Sequence, residues 1–88
     1  MAKRYRNTFE IISDILTACQ EPRTLSKISL KERMTFDKAK QFTAKLMRAN
    51  LIKSYEDVTE HGQKGTFYVL TSDGITMNKS MMELRQFL

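Results

Sequence analysis

The sequence holds a single cysteine, Cys19, and a single histidine, His61. One thiol cannot close an internal disulfide, and one Cys with one His cannot supply the four ligands of a structural zinc site. Neither staple of small scaffolds is available, so helix packing or dimerisation has to take its place. Proline occurs once, glycine three times, and no tract repeats. The longest apolar run is Phe67-Tyr68-Val69-Leu70, far short of the roughly 20 residues that cross a bilayer, and no apolar stretch follows the basic start as a signal peptide requires. The expectation is a soluble, intracellular protein without membrane contact. Enzyme chemistry lacks its inventory as well. There is no phosphate-loop pattern and no Ser-His-Asp set beyond one loop histidine, and Cys19 falls on the apolar face of a predicted helix, where a buried thiol is inert. No catalytic residue, cofactor or metal is expected.

What is present is a globular composition. The 88 residues are 41% hydrophobic and 28% charged, enough for one domain and too few for two. The net charge of +5 is unevenly distributed: residues 1–55 carry twelve Lys and Arg against five Asp and Glu, a net of +7, whereas residues 56–88 carry three against five, a net of −2. A basic surface with a pI near 9.6 favours a polyanionic partner, most often nucleic acid, although a solvated exterior has the same composition.

Apolar spacing predicts a first helix over residues 8–19, with Ile11, Ile12, Ile15, Leu16 and Cys19 on one face, Asn7 as N-cap and Glu10 in a capping-box relation. Pro22 ends the segment. Thr24 caps a short second helix, running to Glu32 or Arg33, that turns Leu25, Ile28 and Leu30 inward. Thr35 caps a third over residues 36–49, with Asp37 in its first turn and an inward stripe of Phe36, Ala39, Phe42 or Thr43, Leu46 and Met47. Asn50 suits a left-handed C-cap, with Leu51 beyond it for the apolar contact. Residues 51–55 and 66–70 are β-prone and flank a polar, glycine-containing stretch too long for a two-residue turn. A last helix starts near Thr71 and carries Met77, Met81, Leu84 and Leu88 at i, i+4, i+7 and i+11.

The expected fold is mainly α (α+β), a single domain over residues 1–88 with a three-helix core, a two-stranded β-hairpin and a C-terminal helix. This order resembles the archaeal winged helix-turn-helix DNA-binding protein family. The resemblance rests on Glu10-Ile11-Ile12 with Ile15-Leu16, on Thr24 and Ile28, on Leu46 with Asn50-Leu51-Ile52, and on Tyr68-Val69-Leu70-Thr71-Ser72-Asp73-Gly74. It implies double-stranded DNA binding, a role as a transcriptional regulator, and an antiparallel homodimer through the C-terminal helix. It also implies a cytoplasmic location, with the nucleoid if DNA-bound.

In a helix-turn-helix the second helix of the pair presents its early residues to base edges in the major groove. Here that helix leaves Lys38, Lys40, Gln41, Lys45 and Arg48 outward. Gln41 can pair with adenine and Lys38 with guanine, while Lys45 and Arg48 suit phosphate. Lys27 on the second helix, Arg4 and Arg6 in the basic arm of residues 1–7, and Gln63 and Lys64 at the hairpin tip are candidate backbone contacts. Thr35 has two roles open, cap or phosphate contact. Glu56, Asp57 and Glu60 oppose deep insertion of the hairpin, and His61 is a solvated residue or a weak contact. Met77, Met81, Leu84 and Leu88 are the candidate dimer seam, or else methionine filling of an irregular core. Two further readings stay open, a protein-docking module of the same fold and a small chromatin-type protein that binds DNA without sequence preference.

Overall fold

In the computed structural model residues 7–87 are described. They form α1 (Thr8–Ala18), β1 (Arg23–Thr24), α2 (Leu25–Lys31), α3 (Phe36–Arg48), β2 (Ile52–Val58), β3 (Lys64–Leu70) and α4 (Ser72–Arg85). Each helix starts at a side-chain cap. Asn7 Oδ1 accepts from the Glu10 N–H at 2.8 Å, and the hydroxyls of Thr24, Thr35 and Thr71 accept from Lys27, Lys38 and Gly74 at 3.3, 3.1 and 3.0 Å. Such caps contribute about 1 kcal/mol each, so four of them fix where the short helices begin.

The ends of α2 and α3 are set by left-handed residues. Asn50 takes φ 61°, its N–H donates to the Met47 carbonyl and the Leu51 N–H donates to the Leu46 carbonyl, the double bond of a Schellman cap. Arg33 ends α2 in the same way at φ 53°, with Met34 N–H bonded to the Ser29 carbonyl. An arginine in that conformation gives no signal in the sequence, since glycine and asparagine are the usual occupants.

The sheet order is β1-β3-β2, antiparallel throughout. β2 pairs with β3 from Ile52 opposite Leu70 to Val58 opposite Lys64, leaving residues 59–63 as the hairpin tip, where Gly62 at φ 78° makes the turn. The strands therefore run further than expected. The outer part of β2 is exposed on both faces, so it has no apolar alternation to betray it; the backbone ladder and the stacked Tyr55 and Phe67 rings, 5.8 Å apart, hold it. The two-residue β1 was not anticipated. Arg23 pairs with Tyr68 and Thr24 with Phe67, and the Arg23 Nε donates to the Ala18 carbonyl at 2.9 Å, closing the chain reversal at Pro22.

The core gathers Ile11, Ile15 and Leu16 of α1 and its C-cap Cys19 with Ile28, Ala39, Leu46, Ile52, Leu70 and Met81. Three expected core residues lie outside it. Leu30 is 78% exposed because α2 has only seven residues and Leu25 and Ile28 define its inner line; two positions past Ile28 the helix faces almost the opposite way. Phe36 and Met47 are exposed because Ala39, Thr43 and Leu46 centre the buried face of α3, with Phe42 half-buried beside them. Both Phe42 and Thr43 thus line the inner side.

Candidate nucleic-acid interface

On α3 the side chains of Lys38, Lys40, Gln41, Lys45 and Arg48 are all exposed. Directly opposite the buried line run Asp37, Gln41, Ala44 and Arg48, at i, i+4, i+7 and i+11. Lys38 and Lys45 flank that line on one side, and Lys40 lies on the other beside Phe36 and Met47. The helix therefore presents a central strip bearing a carboxylate in the first turn and then an amide, a methyl and a guanidinium, between an edge of two lysines and an edge where one lysine stands with two apolar side chains. The Lys45 ammonium leans over the Phe42 ring, 5.7 Å from its centroid, which holds it along the helix edge. Thr35 serves as the cap of α3, its hydroxyl oxygen bonded by the Lys38 N–H.

The hairpin tip returns toward α2. Glu60 Oε1 lies 3.4 Å from Lys27 Nζ and 3.8 Å from His61 Nε2. Lys27 is thus engaged with the wing carboxylate, although both side chains remain largely exposed. This pairing answers part of the difficulty raised by acid at the hairpin, because the Glu60 charge has a cation beside it. Gln63 and Lys64 are exposed at the tip. Between the start of α2 and the hairpin lies an open cleft of about 390 Å³ whose lining includes Ser26, Phe36, Thr59, Thr66 and Tyr68. Arg4 and Arg6 of the basic arm lie outside the described residues.

α4 docks on α1 through a polar seam that the sequence did not disclose. Gly74, Asn78 and Met81 face inward. The Thr17 hydroxyl sits 2.9 Å from the Ser13 carbonyl and 3.2 Å from Asn78 Oδ1, and Arg85 Nη1 donates to Ser13 Oγ at 3.2 Å and Asp14 Oδ1 at 2.9 Å. The expected stripe on this helix divides. Met81, at 7% exposure, is buried in its own domain and leaves the proposed seam, because it shares the inner line with Gly74 and Asn78. Met77 and Leu84 are exposed on one flank, Ile75 and Met82 on the other, and Leu88 lies outside the described residues. At the start of α4 the Asn50 side-chain amide donates to Asp73 Oδ2 at 3.1 Å and the Thr71 hydroxyl donates to the Asn50 carbonyl at 2.6 Å, tying the end of α3 to α4.

Cys19 is fully buried, and burial pushes its thiol up to about 12. Such a thiol is neither nucleophile nor ligand at neutral pH. Among the described residues no group of three or more His, Cys, Asp or Glu side chains is placed to hold a metal ion, and no helix is long and apolar enough to cross a membrane.

A helical head with a capped, basic, solvent-facing third helix, followed by an antiparallel hairpin and a last helix, defines a winged helix domain. The sequence pattern of the winged helix-turn-helix family matches residues 5–88, and the chain belongs to that family. Solved structures agree on the fold. A PadR-like transcriptional regulator from Bacillus cereus superposes with a TM-score of 0.84 at 14% identity, over 88% of this chain and 82% of that one. Sso10a-2, a DNA-binding protein from Sulfolobus solfataricus, gives 0.75 at 17% identity, over 93% and 81%. The Streptococcus mutans protein smu.1704 gives 0.87 at 16%, over 97% and 85%. No curated protein matches the chain in sequence.

Proposed function

We propose that the protein is a double-stranded DNA-binding transcriptional regulator that inserts α3 into the major groove. The observation that carries this reading is the exposed strip of Gln41, Ala44 and Arg48 flanked by Lys38, Lys40 and Lys45, on the helix that the fold of this family assigns to reading. Gln41 and Lys38 face base edges; Lys40, Lys45 and Arg48 neutralise phosphates. The wing contributes Lys64 and Gln63, α2 contributes Lys27 beside Glu60, and the arm contributes Arg4 and Arg6 on the strength of the sequence.

The active species in this reading is a homodimer. Its support is the exposed apolar surface of α4, where Ile75, Met77, Met82 and Leu84 all stand in solvent on a fourteen-residue helix. Of the expected seam Met77 and Leu84 are exposed, Met81 is buried in its own domain, and Leu88 lies outside the described residues. Sedimentation of the wild type and of Leu84→Glu checks it: a dimer that becomes a monomer in the variant supports the seam, and a monomeric wild type refutes it.

DNA binding is tested by titrating the protein into a fluorescent mixed-sequence duplex at low and near-physiological salt, with anisotropy as readout. Binding that collapses as salt rises is the signature of counterion release. No binding at low salt refutes the reading and leaves α4 as the surface of a protein-docking module. Binding without any preference among sequences marks a chromatin-type protein instead, since a regulator favours its operator by roughly 10³ or more.

A further inference from the structure

Phe36 occupies the first position of α3, is 51% exposed, and stands apart from the side chains packed on the core. A large ring so exposed gives up hydrophobic stabilisation that an inward rotation would recover, yet the buried line of Ala39, Thr43 and Leu46 leaves it on the flank. Its neighbours point to a use. Phe36 is among the residues that line the cleft between α2 and the wing, together with Ser26, Thr59, Thr66 and Tyr68. Along the helix it shares its edge with Lys40 and Met47, next to the strip that begins at Asp37.

We propose that Phe36 is a specificity-determining residue that reads thymine by packing its ring on the C5-methyl group in the major groove. The inference rests on the DNA-binding reading above. The early residues of a recognition helix are the ones that reach base edges, and the thymine methyl is the one apolar feature among the major-groove edges of the four base pairs. An exposed phenyl at this position adds nothing to a phosphate or amide contact, and among base edges the thymine methyl is the group against which it can bury apolar surface. Thr35 and Asp37 on either side are short, and Thr35 is engaged as the cap, so neither shields the ring. The reading head then combines two chemistries, a bidentate amide at Gln41 and an apolar contact at Phe36.

The test begins with selection of preferred duplexes from a random library by wild type and by Phe36→Ala. Alanine is the best helix former and the Thr35 cap is untouched, so the variant keeps its fold, which circular dichroism checks. Wild type is expected to enrich a thymine at a fixed position that Phe36→Ala no longer enriches. In the selected duplex, deoxyuridine at that position removes one methyl and is expected to weaken wild-type binding roughly fourfold. It should leave Phe36→Ala unaffected, and Phe36→Leu should retain the discrimination. Equal loss in wild type and Phe36→Ala overturns the proposal, as does a uniform weakening by Phe36→Ala across all sequences, or a wild type that enriches no sequence while binding DNA. A wild type that binds no duplex at low salt refutes the DNA reading itself and the thymine contact with it.

Discussion

Replacing Lys45 by alanine removes one cation from the edge of α3 without touching the buried line, because Lys45 is exposed and its ammonium lies over the face of the half-buried Phe42 ring. Four exposed cations assigned to phosphate, Lys40, Lys45 and Arg48 on α3 and Lys64 at the start of β3, lie on this surface. If each neutralises one phosphate, the logarithm of affinity falls with the logarithm of salt at a slope of about −3.6 per bound subunit, equivalent to a loss of about 150-fold between about 50 and 200 mM. A single contact accounts for about 0.9 of that slope, about 3.5-fold over the same range. Anisotropy titrations at four salt concentrations resolve such a difference. Lys45→Ala should weaken all sequences alike and flatten the slope by about 0.9 per bound subunit, whereas Gln41→Ala should relax preference at one base pair in each half-site and leave the slope alone. Lys79, on α4 beside Ile75 and Met82, serves as control, since its removal changes net charge equally but not the α3 edge. If Lys45→Ala and Lys79→Ala shift the slope by the same amount, the effect is one of net charge and α3 is not the contacting surface.

Three other outcomes follow from particular contacts. Glu60→Gln frees Lys27 and removes an anion from the wing tip, so DNA affinity at low salt should rise by about two- to fourfold with a steeper slope; weaker binding would mean that the pair is needed to hold the wing. Gly74→Ala should lower the melting temperature, because a Cβ there would run into the Leu51 carbonyl that accepts the Thr71 N–H. Overpacking costs typically about 1–3 kcal/mol, more than alanine gains in helix propensity, and an unchanged melting curve would refute the close approach. The Cys19 thiol, ordinarily near 9.0 and raised to about 12 by burial, stays protonated in the folded chain while the unfolded chain ionises. Its contribution is complete below pH 9.0 and is lost as pH rises toward the folded value. Above the lower value the loss is about 1.4 kcal/mol per pH unit. Denaturant titrations at pH 8 and 10 should therefore show a shallower decline for Cys19→Ala than for wild type.

Helix positions were legible because their punctuation is chemical. Asn7, Thr24 and Thr35 each precede an apolar-periodic stretch, and each caps the helix expected of it; the last helix was expected near Thr71 with Ser72 and Asp73 in its capping region, and Thr71 itself is the cap. Asn50 was legible for the same reason, being a residue that tolerates positive φ. What escaped was set by tertiary geometry. β1 is two residues long and exists only because β3 lies beside it; no periodicity can mark it. The inward placement of Leu30 and Phe36 failed because hydrophobicity was read as burial, whereas a short helix has room for one buried line and the smaller Ala39 and Thr43 hold it on α3. The α1–α4 seam escaped because Ser13 and Asn78 are polar and buried, and nothing in a single sequence says that such residues, with the exposed Thr17 between them, will find partners across the seam.

That seam bears on how a dimer would read DNA. α4 is fastened to the head at both ends, through Asn50, Thr71 and Asp73 at its start and through Ser13, Asp14 and Arg85 at its finish, with Thr17 and Asn78 between. Ser13 and Asn78 are almost wholly buried, and among the described residues no buried side-chain polar atom lacks a partner. Swivelling α4 against α1 would break these bonds. Those at Asn50, Thr71 and Arg85 are exposed and contribute little each, whereas Ser13 and Asn78 are buried and would cost about 1–3 kcal/mol for each group left unsatisfied. An apolar seam alone would resist such rotation far less, since hydrophobic contact is non-directional. In a dimer joined through α4, the distance between the two copies of α3 is then a property of the folded subunit and not of a hinge. Two half-sites one DNA turn apart would be bound together only at that spacing, and specificity would come from the separation of the half-sites as much as from the bases that Gln41 and its neighbours touch.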